Sequence, residues 1–148
     1  MLSESEYLAS YDASRYPSPI VTVDSVLFTL HEQQLCVLLV QRANHPQKGW
    51  WGLPGGFIDM QHDASTRATA LRKLQEKTGV VPPWLEQLET FSGPDRDPRG
   101  WSLTTAWYAL IAQESCRSYS GDVSDAAWLP VNTVMQRKDI AFDHQTII

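Results

Sequence analysis

The hydrophobic positions of this chain change their spacing several times, and each change marks an element. IVTVDSVLFTL at 20–30 and LCVLLVQR at 35–42 are apolar, β-branched runs separated by the polar HEQQ, so they predict two strands joined as a hairpin. ANHPQKGWWGLPGG at 43–56 carries Pro, Gly and Asn and predicts a loop, with Phe57 and Ile58 a short strand behind it. In STRATALRKLQEKT at 65–78, Ala68, Ala70, Leu71 and Leu74 fall on one side at helical spacing, and Gly79 is placed to end that helix. Beyond Pro82-Pro83 the pattern predicts a strand over 85–92, a long loop in GPDRDPRG, a strand over 101–112 and a short strand in AAWLP. A second helix follows from about Pro130 through VNTVMQR, with the proline in its first turn. Strands interleaved with two helices predict an α/β class, a mixed sheet sandwiched between α-helices.

Residues 1–18 fall outside this patterning. They are polar, with Tyr7, Tyr11 and Tyr16, and predict an arm lying on a surface. The remainder, 19–148, is one domain's worth of chain. No apolar run approaches the roughly 18 residues of a membrane span, and the N-terminus lacks the basic-then-apolar pattern of a secretory signal, so the expected location is cytoplasmic. Cys36 and Cys116 have neither CxxC spacing nor the number for a disulfide framework and read as reduced thiols. Seventeen acidic against twelve basic residues leave a net charge of −5. That balance disfavours a domain whose own surface embraces a polyanionic duplex.

WGLPGGF at 51–57 and then Arg72, Leu74, Glu76, Gly79 and Val80 stand in the spacing of one known motif. The segment resembles the Nudix box: a glycine, five residues, a glutamate, seven residues, REUXEE, one residue, GU. The resemblance implies a Nudix fold (α/β/α), and in that family a loop, helix and loop present glutamates to Mg²⁺, which neutralises a pyrophosphate and activates the water that cleaves it. The departures from the pattern carry chemistry. Lys73 and Lys77 occupy two glutamate positions, leaving Glu76 of the three, and the arginine lies sixteen residues after Gly56 instead of fourteen. His62 or Asp63 falls nearest the remaining box glutamate. Positions 73, 76 and 77 share one helix face, where the family's −3 becomes +1. An ammonium has three donors and no acceptor, so it coordinates no cation, yet it suits phosphate.

The resemblance narrows further. PDRDPRGWS, the VLLVQR strand, RKLQEKTGV and AFDH at 141–144 are similar to the Nudix-related transcriptional regulators of NAD metabolism (NrtR). In that family an inactive or weakly active Nudix domain senses ADP-ribose, and a winged helix-turn-helix after it binds operator DNA. The implied reading is an ADP-ribose-binding, largely non-catalytic sensor domain of a transcriptional repressor, with the winged helix expected to be absent from this chain, which stops at FDHQTII. Expected ligand contacts are Arg42, Gly55, Gly56, Phe57, Lys73, Glu76, Lys77, Arg96 and Arg99, with no catalytic residue, no metal ligand and no required cofactor. Arg42 has a cross-strand ion pair as its plain alternative, and Arg96 and Arg99 have local pairing with Asp95 or Asp97. Trp50 and Trp51 read as base-stacking or core, His144 as pocket, linker or packed side chain, and Arg72 as scaffold. Homodimers are common in this branch, and the arm is a candidate exchange element. Two alternatives remain: an Mg²⁺-dependent ADP-ribose pyrophosphatase with displaced ligands such as Asp59, Asp63 and Glu76, and a protein-binding scaffold.

Overall fold

The computed structural model describes residues 1–117 and 120–148. Helix α1 (Glu4–Ser10) comes first, followed by a 3₁₀ turn and strands β1 (Ile20–His31), β2 (Gln34–Arg42), β3 (Trp51–Gly52) and β4 (Gly55–Phe57). Then come α2 (Thr66–Thr78), β5 (Glu86–Gly93), β6 (Ser102–Leu110), β7 (Val123–Pro130), α3 (Val131–Gln136) and α4 (His144–Ile147). The sheet runs β3-β2-β1-β6-β5, with β4 on β1 and β7 on β2. Among the strand pairs of the described residues only β1–β6 is parallel, so the sheet is mixed, as the strand and helix order predicts.

Side chains alternate across a strand, and the two faces of this sheet are both covered. Val23 and Leu27 of β1 and Leu38 of β2 pack beneath α2 with Ala70 and Leu74. Val26, Val37 and Leu39 face the other way, against Val134 of α3 and Ile147 of α4. The architecture is therefore an α/β/α sandwich.

One edge of β1 is divided between two partners. Its N-terminal half pairs with β4 at Thr22–Asp24, its C-terminal half with β2 from Phe28 to His31. β2 meanwhile continues toward β3 and β7. The parting of the strands opens the cleft described below.

Several elements differ from the sequence expectation, each for a physical reason. β3 and β4 lie within the stretch expected to be a loop, because neighbouring strands supply the hydrogen bonds that two or three residues cannot sustain alone. β4 accordingly ends at Phe57 instead of beginning there, and β7 starts at Val123, three residues before AAWLP. The buried stripe of α2 is Thr69, Ala70, Leu74 and Thr78, with Leu71 half-buried. The threonines are tolerated inside because their hydroxyls are satisfied: Thr69 donates to Asp63 (2.8 Å) and Thr78 to the Leu74 carbonyl (2.7 Å). Ser65 caps the helix and Gly79 closes it at φ 74°. α1 is an unforeseen helix with a capping box from Ser3 to Glu6, and none of its residues is buried. The three tyrosines of the arm pack on one another, Tyr11 stacked on Tyr16 at 5.5 Å. Among the described residues no helix is long and apolar enough to cross a membrane.

Candidate ligand-binding site

A cleft of about 220 Å³ opens where β1 and β2 part. Its floor holds two buried ionisable groups. Asp24 stands mid-way along β1, flanked by Gly55 of β4 and Ala106 of β6. Thr104 donates to its Oδ2 (2.7 Å). Its Oδ1 lies 3.4 Å from His144 Nε2. His144 Nδ1 accepts the Leu53 backbone N–H at 2.9 Å, which places the imidazole proton on Nε2, toward Asp24. Burial pushes the Asp24 carboxyl up and the His144 imidazole down.

One wall is the glycine turn and α2. Gly55 lies so close under Val23 and Asp24 that a Cβ there would run into the Val23 carbonyl. Gly56, at φ 154°, would bring a Cβ within 2.8 Å of Lys73 Cε. Gly55 has no room for a side chain against the β1 backbone, and Gly56 holds a positive φ that other residues rarely adopt. Lys73 and Lys77 both project into the cleft. Lys77 Nζ sits 3.3 Å from Asp122, and burial pushes its ammonium down from the ordinary lysine value.

The opposite wall carries Arg42, Arg96, Arg99 and Phe142. Arg96 is locked: it donates through Nε and Nη2 to both oxygens of Asp143 (2.9 and 2.7 Å) and through Nη1 to Ser102. Arg99 forks onto Asp97 and lies over the Phe57 ring. Arg42 donates through Nε to the Pro46 carbonyl (2.8 Å), so the expected alternative of a cross-strand ion pair is replaced by a loop contact.

Of the nine residues expected from sequence, eight line this cleft. Glu76 does not. It lies between Arg72 (3.0 Å) and Lys73 (3.5 Å). Arg72 is scaffold: it grips both Asp63 oxygens at 2.8 Å and donates to the Phe57 carbonyl. Neither Trp50 nor Trp51 reaches the cleft, and Trp51 packs against the α3 and α4 core instead. Asp24, Asp122 and Phe142 line it without having been anticipated. The sequence does hold a signal for the first, since an aspartate in mid-strand among β-branched residues defies strand preference.

In charge the cleft opposes the molecule. Five cations line it against three carboxylates, whereas the chain carries −5. Such a site draws anions. The donor set does not suit Mg²⁺, which wants several converging oxygens. Asp63 is engaged by Arg72, a guanidinium and an ammonium flank Glu76, and among the described residues no group of three His, Cys, Asp or Glu side chains is placed to hold a metal ion.

Residues 19–148 match the family model of the NUDIX domain, and the chain belongs to that family. It is 42% identical over 146 residues to the ADPR responsive transcriptional repressor NtrR of Acinetobacter baylyi, covering 99% of this chain and 58% of that protein. It is 31% identical over 133 residues to the ADP-ribose pyrophosphatase of Methanocaldococcus jannaschii, covering 90% of this chain and 73% of that protein. Among solved structures, the NUDIX domain of Shewanella oneidensis NrtR complexed with ADP ribose superimposes with a TM-score of 0.96 at 52% identity, covering 99% of this chain and 95% of that one. The chain thus spans less than two thirds of the repressor it matches.

Proposed function

We propose that this chain is the ADP-ribose-sensing Nudix domain of a transcriptional repressor of NAD-metabolism genes, and that it binds its ligand without cleaving it. The observation that carries the reading is the cationic cleft with Lys73 and Lys77 at the positions where the family places carboxylates. In the cleft an ammonium supplies the charge that a metal ion would otherwise bring to a diphosphate, but it generates no hydroxide. Arg42 and Arg99 face the same space from the other wall. Operator DNA belongs to the same reading, its contact falling to the winged helix that the resemblance implies, and the name of the Acinetobacter relative, a transcriptional repressor, supports a role at DNA. A homodimer belongs to the same reading. The α1 arm, none of whose residues is buried, is the segment a second copy would cover, and the solution mass from light scattering tests it.

Calorimetry with ADP-ribose, with and without Mg²⁺, tests the ligand, and AMP release tests the chemistry. The expected result is binding that does not need the metal. The likeness to the archaeal pyrophosphatase favours a second reading, a working hydrolase. Turnover of about 1 per second or more in Mg²⁺ would establish that reading and overturn ours.

A further inference from the structure

Phe142 occupies a position for which its backbone alone gives no reason. Its φ is 51°, in the left-handed region that bulky side chains rarely adopt and that glycine enters freely. The surrounding contacts hold it there. Its N–H donates to Gln47 Oε1 (2.9 Å), the Ala141 N–H before it donates to the Trp51 carbonyl (2.7 Å), and Asp143 after it receives the Arg96 fork. Strain of this kind persists where the neighbourhood fixes it, and such residues concentrate at functional sites.

The ring that this conformation delivers meets two guanidiniums. Arg42 Cζ lies 4.9 Å from its centroid and Arg99 Cζ 5.7 Å, both within the range of cation–π attraction. The two arginines come from distant parts of the chain, the end of β2 and the loop before β6. They carry like charges, and burial first and Arg99 second disfavour the charged form of Arg42. Among the described residues the hydrogen bonds of the Arg42 side chain involve only Nε, and those of Arg99 involve Nε and Nη2. Terminal nitrogens of both therefore remain to be engaged.

We propose that Phe142 is a positioning residue whose ring holds Arg42 and Arg99 together, so that the two guanidiniums take one anionic group of the ligand as a pair. This deepens the function proposed above and rests on it for the identity of the ligand, a nucleoside diphosphate. The negative ring face offsets repulsion between the arginines before the ligand arrives, and the diphosphate then completes their neutralisation. Arg96, already satisfied by Asp143, fixes the strand of chain that carries the ring.

The test has two parts on the full chain. In the ligand-free protein, the side-chain N–H resonances of Arg42 and Arg99, assigned with Arg42→Gln and Arg99→Gln, report ring proximity. Phe142→Leu is expected to shift both, and Phe142→Tyr, which keeps the ring, neither. Calorimetry then follows ADP-ribose and, separately, inorganic pyrophosphate. Phe142→Leu is expected to weaken binding about tenfold, Phe142→Tyr to restore it to within about twofold, and Phe142→Leu to cost nothing further once both arginines are glutamine. Arginine resonances unmoved by Phe142→Leu, or an equal loss of affinity in the background lacking both arginines, would overturn the proposal. Failure of the unaltered chain to bind ADP-ribose counts against the function proposed above, while the resonances judge Phe142 whatever the ligand.

Discussion

The two flanks of α2 settle their charges in opposite ways. On one flank Arg72 grips Asp63 with two nitrogens, reaches Glu76 with the third and touches the Phe57 carbonyl, so its charge is closed within the chain. On the other flank Lys73 and Lys77 face a cleft where cations outnumber carboxylates, so charge is left open. Glu76 lies on the boundary, shared by Arg72 and Lys73. The difference teaches that the motif has two separable parts. A scaffold of arginine, aspartate and glycine sets the path of the loop, and a row of side chains beside it decides the chemistry. On the function proposed above, lysines in that row leave the scaffold intact while exchanging cation affinity for anion affinity.

The largest disturbance should strike both flanks at once. Leu74 is fully buried beneath α2 with Val23, Leu27 and Leu38. Leu74→Ala should cost about 3 kcal/mol through lost contacts and an incompletely closed cavity. For a domain of this size that lowers Tm by roughly 10 °C, measurable by circular dichroism. Lys73→Glu with Lys77→Glu should act on the open flank. It replaces two ammoniums by carboxylates, one of them beside Asp122, and affinity for ADP-ribose should drop about 100-fold, or about 2.7 kcal/mol. Affinity within threefold of the parent would remove these lysines from the ligand site and leave the flanks chemically alike.

Much of this division was legible in the residues themselves. The spacing of Ala68, Ala70, Leu71 and Leu74 with Gly79 behind them, and the run LCVLLVQR, placed α2 and β2 close to where they stand. Helix and strand periods are local, and their signals survive without partners. The two-residue β3 and three-residue β4 were hidden because they exist only through pairing with β1 and β2. α1 was overlooked although Ser3 and Glu6 spell a capping box. The cleft's floor was the least accessible part. Asp24 and His144 meet across 120 positions of sequence, and only the packing of α4 against the centre of the sheet brings them together. The fate of Arg96 was hidden for the same reason, since its partner Asp143 lies 47 residues away.

Acid and alkali should separate the flanks. Arg72 and the Asp59 backbone N–H hold the Asp63 carboxyl well below the usual carboxylate range. A carboxyl depressed in the folded state adds stability that is complete above its unfolded value, about 3.9, and is lost as pH falls through the folded one. The urea midpoint should therefore fall steeply below about pH 4, and Arg72→Gln should flatten that limb. Lys77 acts at the other end. Burial pushes its ammonium below the ordinary lysine value, and a bound anion favours the charged form. Affinity should thus weaken as pH rises through the depressed value, with proton uptake on binding that calorimetry in two buffers of different ionisation enthalpy detects. Lys77→Gln should abolish the alkaline limb in affinity and leave the acid limb in stability. Loss of both limbs together would show that the flanks are coupled.

The gentlest test touches only the scaffold. Ser65 Oγ accepts the Ala68 N–H at 3.1 Å and satisfies one of the orphan donors at the start of α2. Ser65→Ala should cost about 1 kcal/mol, a shift of roughly 3 °C in Tm, because that N–H then relies on water. Lys73 and Lys77 lie about two and three turns further along the helix, held by Leu74 and Thr78 beneath them, so fraying at the cap should not reach them. Affinity for ADP-ribose should therefore match the parent while stability drops. If affinity falls in step with stability, the lysine flank takes its geometry from the cap, and the separation drawn here between a structural flank and a ligand-facing one is wrong.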